Sequence, residues 1–168
     1  APFAGRPART TFLQHMPGIA SHLAWYLPLM PVAIEQLDLA GYELVISSSH
    51  AVAKGVIVPP DALHLSYVHS PMRYAWDQQF EYLRAQGRLL GIPLRWLLHR
   101  LRIWDRGSAA GVDHFAANSG FIARRIAKAY RREAQIIYPP VDTEFYVPGG
   151  TREDYYLAVA RLVGYKRV

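Results

Sequence analysis

The sequence contains no cysteine. Disulfide bonds and cysteine-ligated metal sites are therefore excluded, and the composition fits a reducing compartment. The motifs G-x-G-x-x-G, Walker A, G-x-S-x-G and H-E-x-x-H, which are typical of dinucleotide binding, P-loop NTPases, serine hydrolases and zinc proteases, are also missing. Aspartates occur only singly, without a D-x-D pair, and the seven histidines show no ligand spacing with carboxylates. We therefore expect neither a metal nor a cofactor.

A hydrophobic run long enough to cross a membrane is lacking as well. The best candidate, IASHLAWYLPLMPVAI at 19–34, contains His22 and is broken by Pro28 and Pro31. A span needs about 20 apolar residues, so we reject it as transmembrane. The first residue is Ala rather than Met, and the first ten residues have no apolar core like that of a signal peptide. We expect the chain to be a piece of a longer protein, cut at both ends.

What is present is an ordinary globular composition with a basic excess. Hydrophobic residues make up 51% of the chain and charged residues 19%, and a length of 168 residues fits one domain or slightly more. The formal net charge is +6 and the isoelectric point is near 9.7. This balance favours anionic partners, namely phosphates, nucleic acid or an acidic membrane surface.

Apolar runs that alternate with helical patterns predict an α/β fold with a parallel sheet. The first forty residues read as loop and short helical pieces. Beyond them, we predict strands at 43–48, 63–71, 113–119, 134–140 and 154–160. We predict helices at 72–87, at 93–111 with Pro93 at its start, and at 120–133 with Ser119 as its cap.

A domain boundary is predicted at 139–153, where the chain carries three prolines and two glycines without helical periodicity. Residues 1–138 would then form one Rossmann-like domain whose beginning is missing. Residues 154–168 would begin a second domain, with YYLAVA as its first strand.

Polar side chains follow three of the predicted strands, and ligands of open α/β sheets bind at the carboxyl ends of strands. Ser49 and His50, with Lys54 nearby, follow the first strand. His69 lies at the end of the second strand, and Arg73 comes close behind it. These residues could line a cleft that binds an acceptor or an anion. The alternative is that they serve as turn and capping residues, or as a strand-end histidine hydrogen-bonded to backbone.

Two cations follow the last predicted strand. Arg161 comes directly after YYLAVA, and Lys166 comes at the predicted start of the next helix. A guanidinium, an ammonium and helix amides together suit a diphosphate. The alternative is a solvated basic turn.

Two predicted helices also carry basic faces, opposite their apolar residues. These faces could lie on an anionic membrane, or could simply face water. Their residues are Arg95, His99, Arg102 and Arg106 on the first helix, and Arg124, Lys128 and Arg131 on the next.

Five blocks in this order resemble glycosyltransferase family 4: YELVISSSHAVAKGV, YVHSPMRYAWD, HFAANS, IYPPVDTEFY and YYLAVARLVGYKRV. The similarity is greatest to bacterial mannosyltransferases of O-antigen and other surface polysaccharides. The resemblance implies a GT-B fold, with two Rossmann-like domains facing across a cleft. The chain would hold most of the N-terminal, acceptor-side domain and the first strand of the nucleotide-sugar domain.

Residue by residue, the resemblance implies that Arg161 and Lys166 are the R-x4-K pair that holds the donor diphosphate. It implies that His69 is the histidine that approaches the donor sugar, and hence the catalytic candidate. YPPVD stands where many members have N-G-V-D, and Arg167 replaces a common glycine. The family's glycine-rich first loop and its Glu-x7-Glu motif would lie upstream and downstream of this chain.

The resemblance further implies a retaining, metal-independent transfer of a hexose, most simply mannose from GDP-mannose, onto a lipid-linked saccharide. It places the protein in the cytoplasm, with peripheral contact to the inner face of the cytoplasmic membrane, and with no nucleic acid as partner. This fragment alone is expected to be inactive. The alternatives are a GT-B-type sugar-nucleotide epimerase, and a basic α/β module that binds nucleic acid or an anionic membrane.

Overall fold

A computed structural model describes residues 5, 7–85, 87–146, 149, 154–157 and 159, with backbone only at 85 and 87–90. Its centre is a sheet of four parallel strands in the order β1-β2-β3-β4. The strands are β1 Leu44–Ser49, β2 Leu63–Val68, β3 His114–Ala117 and β4 Gln135–Ile136. The predicted α/β class is therefore confirmed, and the architecture is that of a partial Rossmann-like fold.

Helices flank this sheet. Two short helices, α1 Ile19–His22 and α2 Met30–Glu35, lie in the N-terminal part with 3₁₀ turns at Phe12–His15 and Leu23–Leu29. Between β2 and β3 come α3 Gln79–Ala85 and α4 Gly87–Ser108, and α5 Gly120–Tyr130 connects β3 to β4. Among the described residues, no helix has both the length and the apolar character needed to cross a bilayer.

The predicted cap of α5 is confirmed. Ser119 has extended backbone, and its Oγ accepts a hydrogen bond from the backbone N–H of Ile122 at 3.3 Å. This bond satisfies one of the amides that the first turn of a helix leaves without a helical partner.

Several predicted boundaries are wrong: β2, β3 and β4 are shorter than predicted, and α4 and α5 end earlier than predicted, at Ser108 and Tyr130. α4 begins at Gly87, because the helix-favouring residues Arg88, Leu89 and Leu90 extend it ahead of Pro93, which lies exposed inside the helix. In the preceding segment, residues 73–78 form turns, and the helix covers only Gln79–Ala85.

In the described part of the chain, the apolar core consists of two clusters on one side of the sheet. In the first, Val68, Phe115 and Ala117 of the strands pack with α5, whose buried residues are Ile122, Ile126, Ala129 and Tyr130. In the second, Met72 and Ala75 after β2 pack on Leu98 and Leu101 of α4. The second cluster thus holds the segment that follows β2 against α4.

Lys54 does not serve the predicted anion-binding cleft. Its side chain is buried, and Nζ lies 2.9 Å from Asp105 Oδ1 of α4 and donates to the Asp105 carbonyl at 2.7 Å and to Ser108 Oγ at 2.6 Å. The sequence missed this pairing because the two residues are distant in the chain.

The opposite face of the sheet is largely open. Leu44, Ile46 and Leu63 are 50%, 67% and 42% exposed. In the β1–β2 register, Leu44 lies beside Leu63 and Ile46 beside the half-buried Leu65. Parallel strands usually have both faces covered.

The predictions for the C-terminal part stay predictions. The described residues at 154–157 and 159 are not in a strand, and the other residues of the expected fifth strand lie outside the described part of the chain, as do Arg161 and Lys166.

Candidate functional site

A pocket of about 470 Å³ lies at the carboxyl edge of the sheet. His50 and His69, which directly follow β1 and β2, line it together with Arg73. The turns after β2 contribute Asp77 and Gln78, and the first turns of α5 close another side. Parallel pairing places the strand ends side by side, so this is the edge where ligands of open α/β sheets bind.

His69 is held by backbone and side-chain hydrogen bonds from the neighbouring strands. Its backbone N–H donates to the Ser49 carbonyl at 2.8 Å, and its own carbonyl accepts from Asn118 Nδ2 at 3.3 Å. On the ring, Nε2 lies 2.8 Å from Ser48 Oγ, and the Tyr67 ring meets it edge-to-face at 5.2 Å between centroids. The imidazole is thus oriented while it remains exposed to the pocket.

An ion pair joins two elements of the pocket. Arg125 of α5 places Nη2 2.5 Å from Asp77 Oδ1, with side chains 16% and 51% exposed. The pocket therefore offers a carboxylate, guanidinium groups and imidazoles as hydrogen-bonding groups.

Aromatic rings supply the remaining walls. Tyr74 and Tyr82 meet edge-to-face with centroids 6.3 Å apart, and Phe121 of α5 is 58% exposed. Burial, with added effects from Asp105 and Tyr82, raises the pKa of Tyr74 to about 12. Tyr74 therefore stays a neutral hydroxyl at physiological pH.

The structure brings together three of the predicted site residues, His50, His69 and Arg73. The expectation that Ser49 lines the cleft is wrong. Ser49 is only 2% exposed, and its Oγ accepts a hydrogen bond from the Lys54 backbone N–H at 3.3 Å. Because successive strand residues point to opposite faces, it is Ser48 that contacts His69.

Sequence reasoning missed the pocket residues of the turns and of α5. Asp77, Tyr82, Phe121 and Arg125 carry no spacing that links them to His69. One sequence feature could have indicated the α5 residues, namely the cap Ser119 directly after β3. A helix that begins there has its first turns at the same edge of the sheet as the ends of β1 and β2.

A second group of buried polar residues lies away from the pocket. Ser47 Oγ lies 2.9 Å from both His64 Nε2 and Ser66 Oγ, and His64 Nδ1 donates to the Gly111 carbonyl at 3.1 Å. Burial lowers the pKa of His64, so the imidazole stays neutral near physiological pH. These residues are hydrogen-bonded within the core, and we assign them no role in ligand binding.

The buried ion pair of Lys54 and Asp105 is likewise structural. Burial lowers the pKa of Lys54 against the opposing effect of Asp105, and burial raises the pKa of Tyr130 strongly. Trp76 Nε1 and the Tyr130 hydroxyl both donate to Asp105 Oδ2, at 2.7 and 3.0 Å.

A larger concavity of about 710 Å³ lies at the amino edge of β3, where Asp113, His114 and Arg132 line it. The Arg132 guanidinium is used there to bind the Val112 and Asp113 carbonyls. We favour the pocket at the carboxyl edge as the candidate site, because Arg132 is already bound to backbone carbonyls and because ligands of open α/β sheets bind at the carboxyl ends of the strands. No group of three or more His, Asp or Glu side chains in the described part of the chain could hold a metal ion.

Comparisons with known proteins add no assignment. No protein-family model, curated protein or solved structure matches this chain.

Proposed function

We propose that the chain is the acceptor-side part of a retaining glycosyltransferase of GT-B type. The observation that carries this proposal is the pocket in which His69, His50 and Arg73 meet at the carboxyl edge of the parallel sheet. Two of the three, His69 and Arg73, come from the block YVHSPMRYAWD, on which the family resemblance depends most.

The chemistry of the pocket suits a saccharide. A sugar offers many hydroxyl groups, each of which can donate and accept hydrogen bonds, and it also has apolar C–H faces. The pocket combines carboxylate, guanidinium and imidazole groups with the exposed ring of Phe121 and the ring of Tyr82. A few polar groups among aromatic walls are typical of small-molecule sites.

In the reaction we propose, a hexose moves from a nucleoside diphosphate to an acceptor hydroxyl. The bond from the anomeric carbon to the diphosphate oxygen breaks, and its electron pair leaves with the diphosphate. The acceptor oxygen bonds to the same carbon, and its proton passes to the departing diphosphate. His69 binds the sugar and stabilises charge as it develops there, and no protein nucleophile is required.

The donor, the acceptor and the location rest on the resemblance. We propose mannose from GDP-mannose, a lipid-linked saccharide as acceptor, and a cytoplasmic protein whose Arg161 and Lys166 bind the diphosphate. Both residues lie outside the described part of the chain.

The test is sugar transfer by the full-length parent enzyme with GDP-mannose as donor. We expect His69→Ala to lower kcat about 100-fold with little change in donor KM, because its contact strengthens in the transition state. His114→Ala is the matched control, since this exposed histidine lies at the opposite edge of the same sheet. Wild-type turnover in His69→Ala would overturn the role of this residue, and absence of transfer from every hexose donor would overturn the function.

Inhibition by GDP and by guanosine tests the donor assignment separately. Arg161→Ala and Lys166→Ala should each weaken GDP inhibition by roughly 30- to 1000-fold, because a charged hydrogen-bonding partner of the diphosphate is lost. Guanosine, which has no phosphate, should inhibit all forms alike. Equal inhibition of all forms by GDP would show that the two residues form a solvated turn.

A further inference from the structure

α4 presents an apolar stripe to solvent. Ile92, Trp96 and Ile103 are 77%, 65% and 57% exposed, although this helix buries Leu98 and Leu101 on its other side. At about 100° per residue, the three exposed positions lie within about 40° of one another around the helix axis. They therefore form one outward-facing stripe about 16 Å long.

Cationic side chains border this stripe. Arg95, His99 and Arg106 are exposed on one flank, and Arg100 is exposed on the other, with its guanidinium carbon 5.4 Å from the centre of the Trp96 ring. Asp105, the one acidic residue within α4, is buried. We call the exposed set the α4 outer face: Ile92, Arg95, Trp96, His99, Arg100, Ile103 and Arg106.

The sequence-based version of this face was partly wrong. Arg102 was expected among the exposed cations, but it is half-buried and donates from Nη1 to the Ala75 carbonyl at 2.8 Å and to Gln79 Oε1. Its place on the outside is taken by Arg100, and the centre of the face is apolar.

We propose that the α4 outer face binds an anionic lipid surface, with the helix parallel to the membrane plane. Trp96 and the two isoleucines would enter the region between headgroups and acyl chains, and the flanking arginines would contact lipid phosphates. A tryptophan with one polar end and long arginine side chains suit this depth.

The combination of arginines and apolar side chains on the α4 outer face favours a membrane over other partners. Nucleic acid would satisfy the arginines but would leave the isoleucines without an apolar partner. A second copy packed through the same face by two-fold symmetry would bring arginines of like charge together. A bilayer with anionic headgroups offers phosphates to the arginines and an apolar interior to Trp96 and the isoleucines. The proposal does not depend on the function of the pocket.

The test is co-sedimentation of the chain with phosphatidylcholine vesicles that contain or lack phosphatidylglycerol. We expect binding only with phosphatidylglycerol. Arg95→Gln/Arg106→Gln should weaken it by roughly 10- to 30-fold, since each arginine near an anionic surface contributes about a fivefold factor. Arg124→Gln/Lys128→Gln is the matched control: it removes the same net charge from exposed positions of α5 and should change binding less than about threefold.

Trp96→Ser/Ile103→Ser tests the apolar part, and Trp25→Ser serves as its control because Trp25 is also exposed, at 75%. The first variant should lose most vesicle binding, and Trp25→Ser should keep it. Absence of wild-type binding, or equal losses in the two charge variants, would overturn the proposal. A dimer that Trp96→Ser/Ile103→Ser converts to a monomer without lipid would overturn it in favour of a second copy.

Discussion

A buried ion pair couples the loop after β1 to α4. Lys54 and Asp105 are 1% and 0% exposed, and the Lys54 ammonium also lies 4.9 Å from the centre of the Tyr130 ring. Such a pair offsets the desolvation of its charges only while both partners are present. Removing one partner leaves the other charge buried and uncompensated.

We therefore expect Asp105→Asn to lower the free energy of unfolding by about 3–5 kcal/mol, because the Lys54 charge loses its counter-ion. Urea denaturation at neutral pH measures the change. Asp77→Asn is the matched control: its ion pair with Arg125 is solvent-exposed on the Asp77 side and should contribute less than about 1 kcal/mol. Equal effects from the two substitutions would contradict the structural role assigned to Asp105.

At the scale of single elements, the cap of α5 links stability to the pocket. Ser119 follows β3, and the helix that it caps supplies Phe121 and Arg125 to the pocket. Loss of the cap should loosen the first turn before it affects the rest of the helix.

We expect Ser119→Ala to cost about 1 kcal/mol of stability, because the N–H of Ile122 loses its acceptor. Ser119→Gly should lower the free energy of unfolding by only about a few tenths of a kcal/mol, since glycine is tolerated at this position. Thermal unfolding gives the free energies, and hydrogen exchange at Ile122 locates the change. An unprotected Ile122 amide in the wild type would refute the cap.

The strands and the α5 cap could be predicted from sequence because they depend on local patterns. The strands predicted at 43–48 and 63–71, which the structure places at Leu44–Ser49 and Leu63–Val68, and the serine before α5 need only the residues beside them. The choice between Ser48 and Ser49 could not be made, because a run of three serines does not reveal which one points toward the pocket.

Contacts between distant residues could not be predicted either. Nothing local pairs Lys54 with Asp105, and nothing local marks Arg102 as bound to the turns before α3 rather than exposed. The start of α4 was misplaced because proline is common at the first position of a helix. In the structure Pro93 lies inside α4, where it costs a backbone hydrogen bond of the helix.

At the scale of the whole molecule, the open face of the sheet should dominate self-association. Leu44, Ile46 and Leu63 form exposed apolar surface beside one another. Surfaces of this kind attract other apolar surfaces.

We expect Leu44→Thr/Ile46→Thr to reduce binding of an apolar dye and concentration-dependent association, because the threonine hydroxyl makes this surface more polar. Threonine is β-branched, a shape that strands favour, so the strand itself should persist. The free energy of unfolding should change by less than about 1 kcal/mol. Sedimentation velocity and dye fluorescence measure the two effects. Val68→Thr, on the buried face, should instead destabilise the chain without reducing dye binding, and the opposite pattern would contradict this description of the sheet.

The consecutive order of the four strands has a consequence for biosynthesis. Leu44 pairs with Leu63, and Ala116 pairs with Gln135, whereas Leu65 pairs with His114 across the segment that contains α3 and α4. Among the described strands, each one after β1 therefore finds its neighbour already made when it leaves the ribosome. These strands can pair in chain order during translation, and the longest delay falls between β2 and β3, while the segment with α3 and α4 is being made.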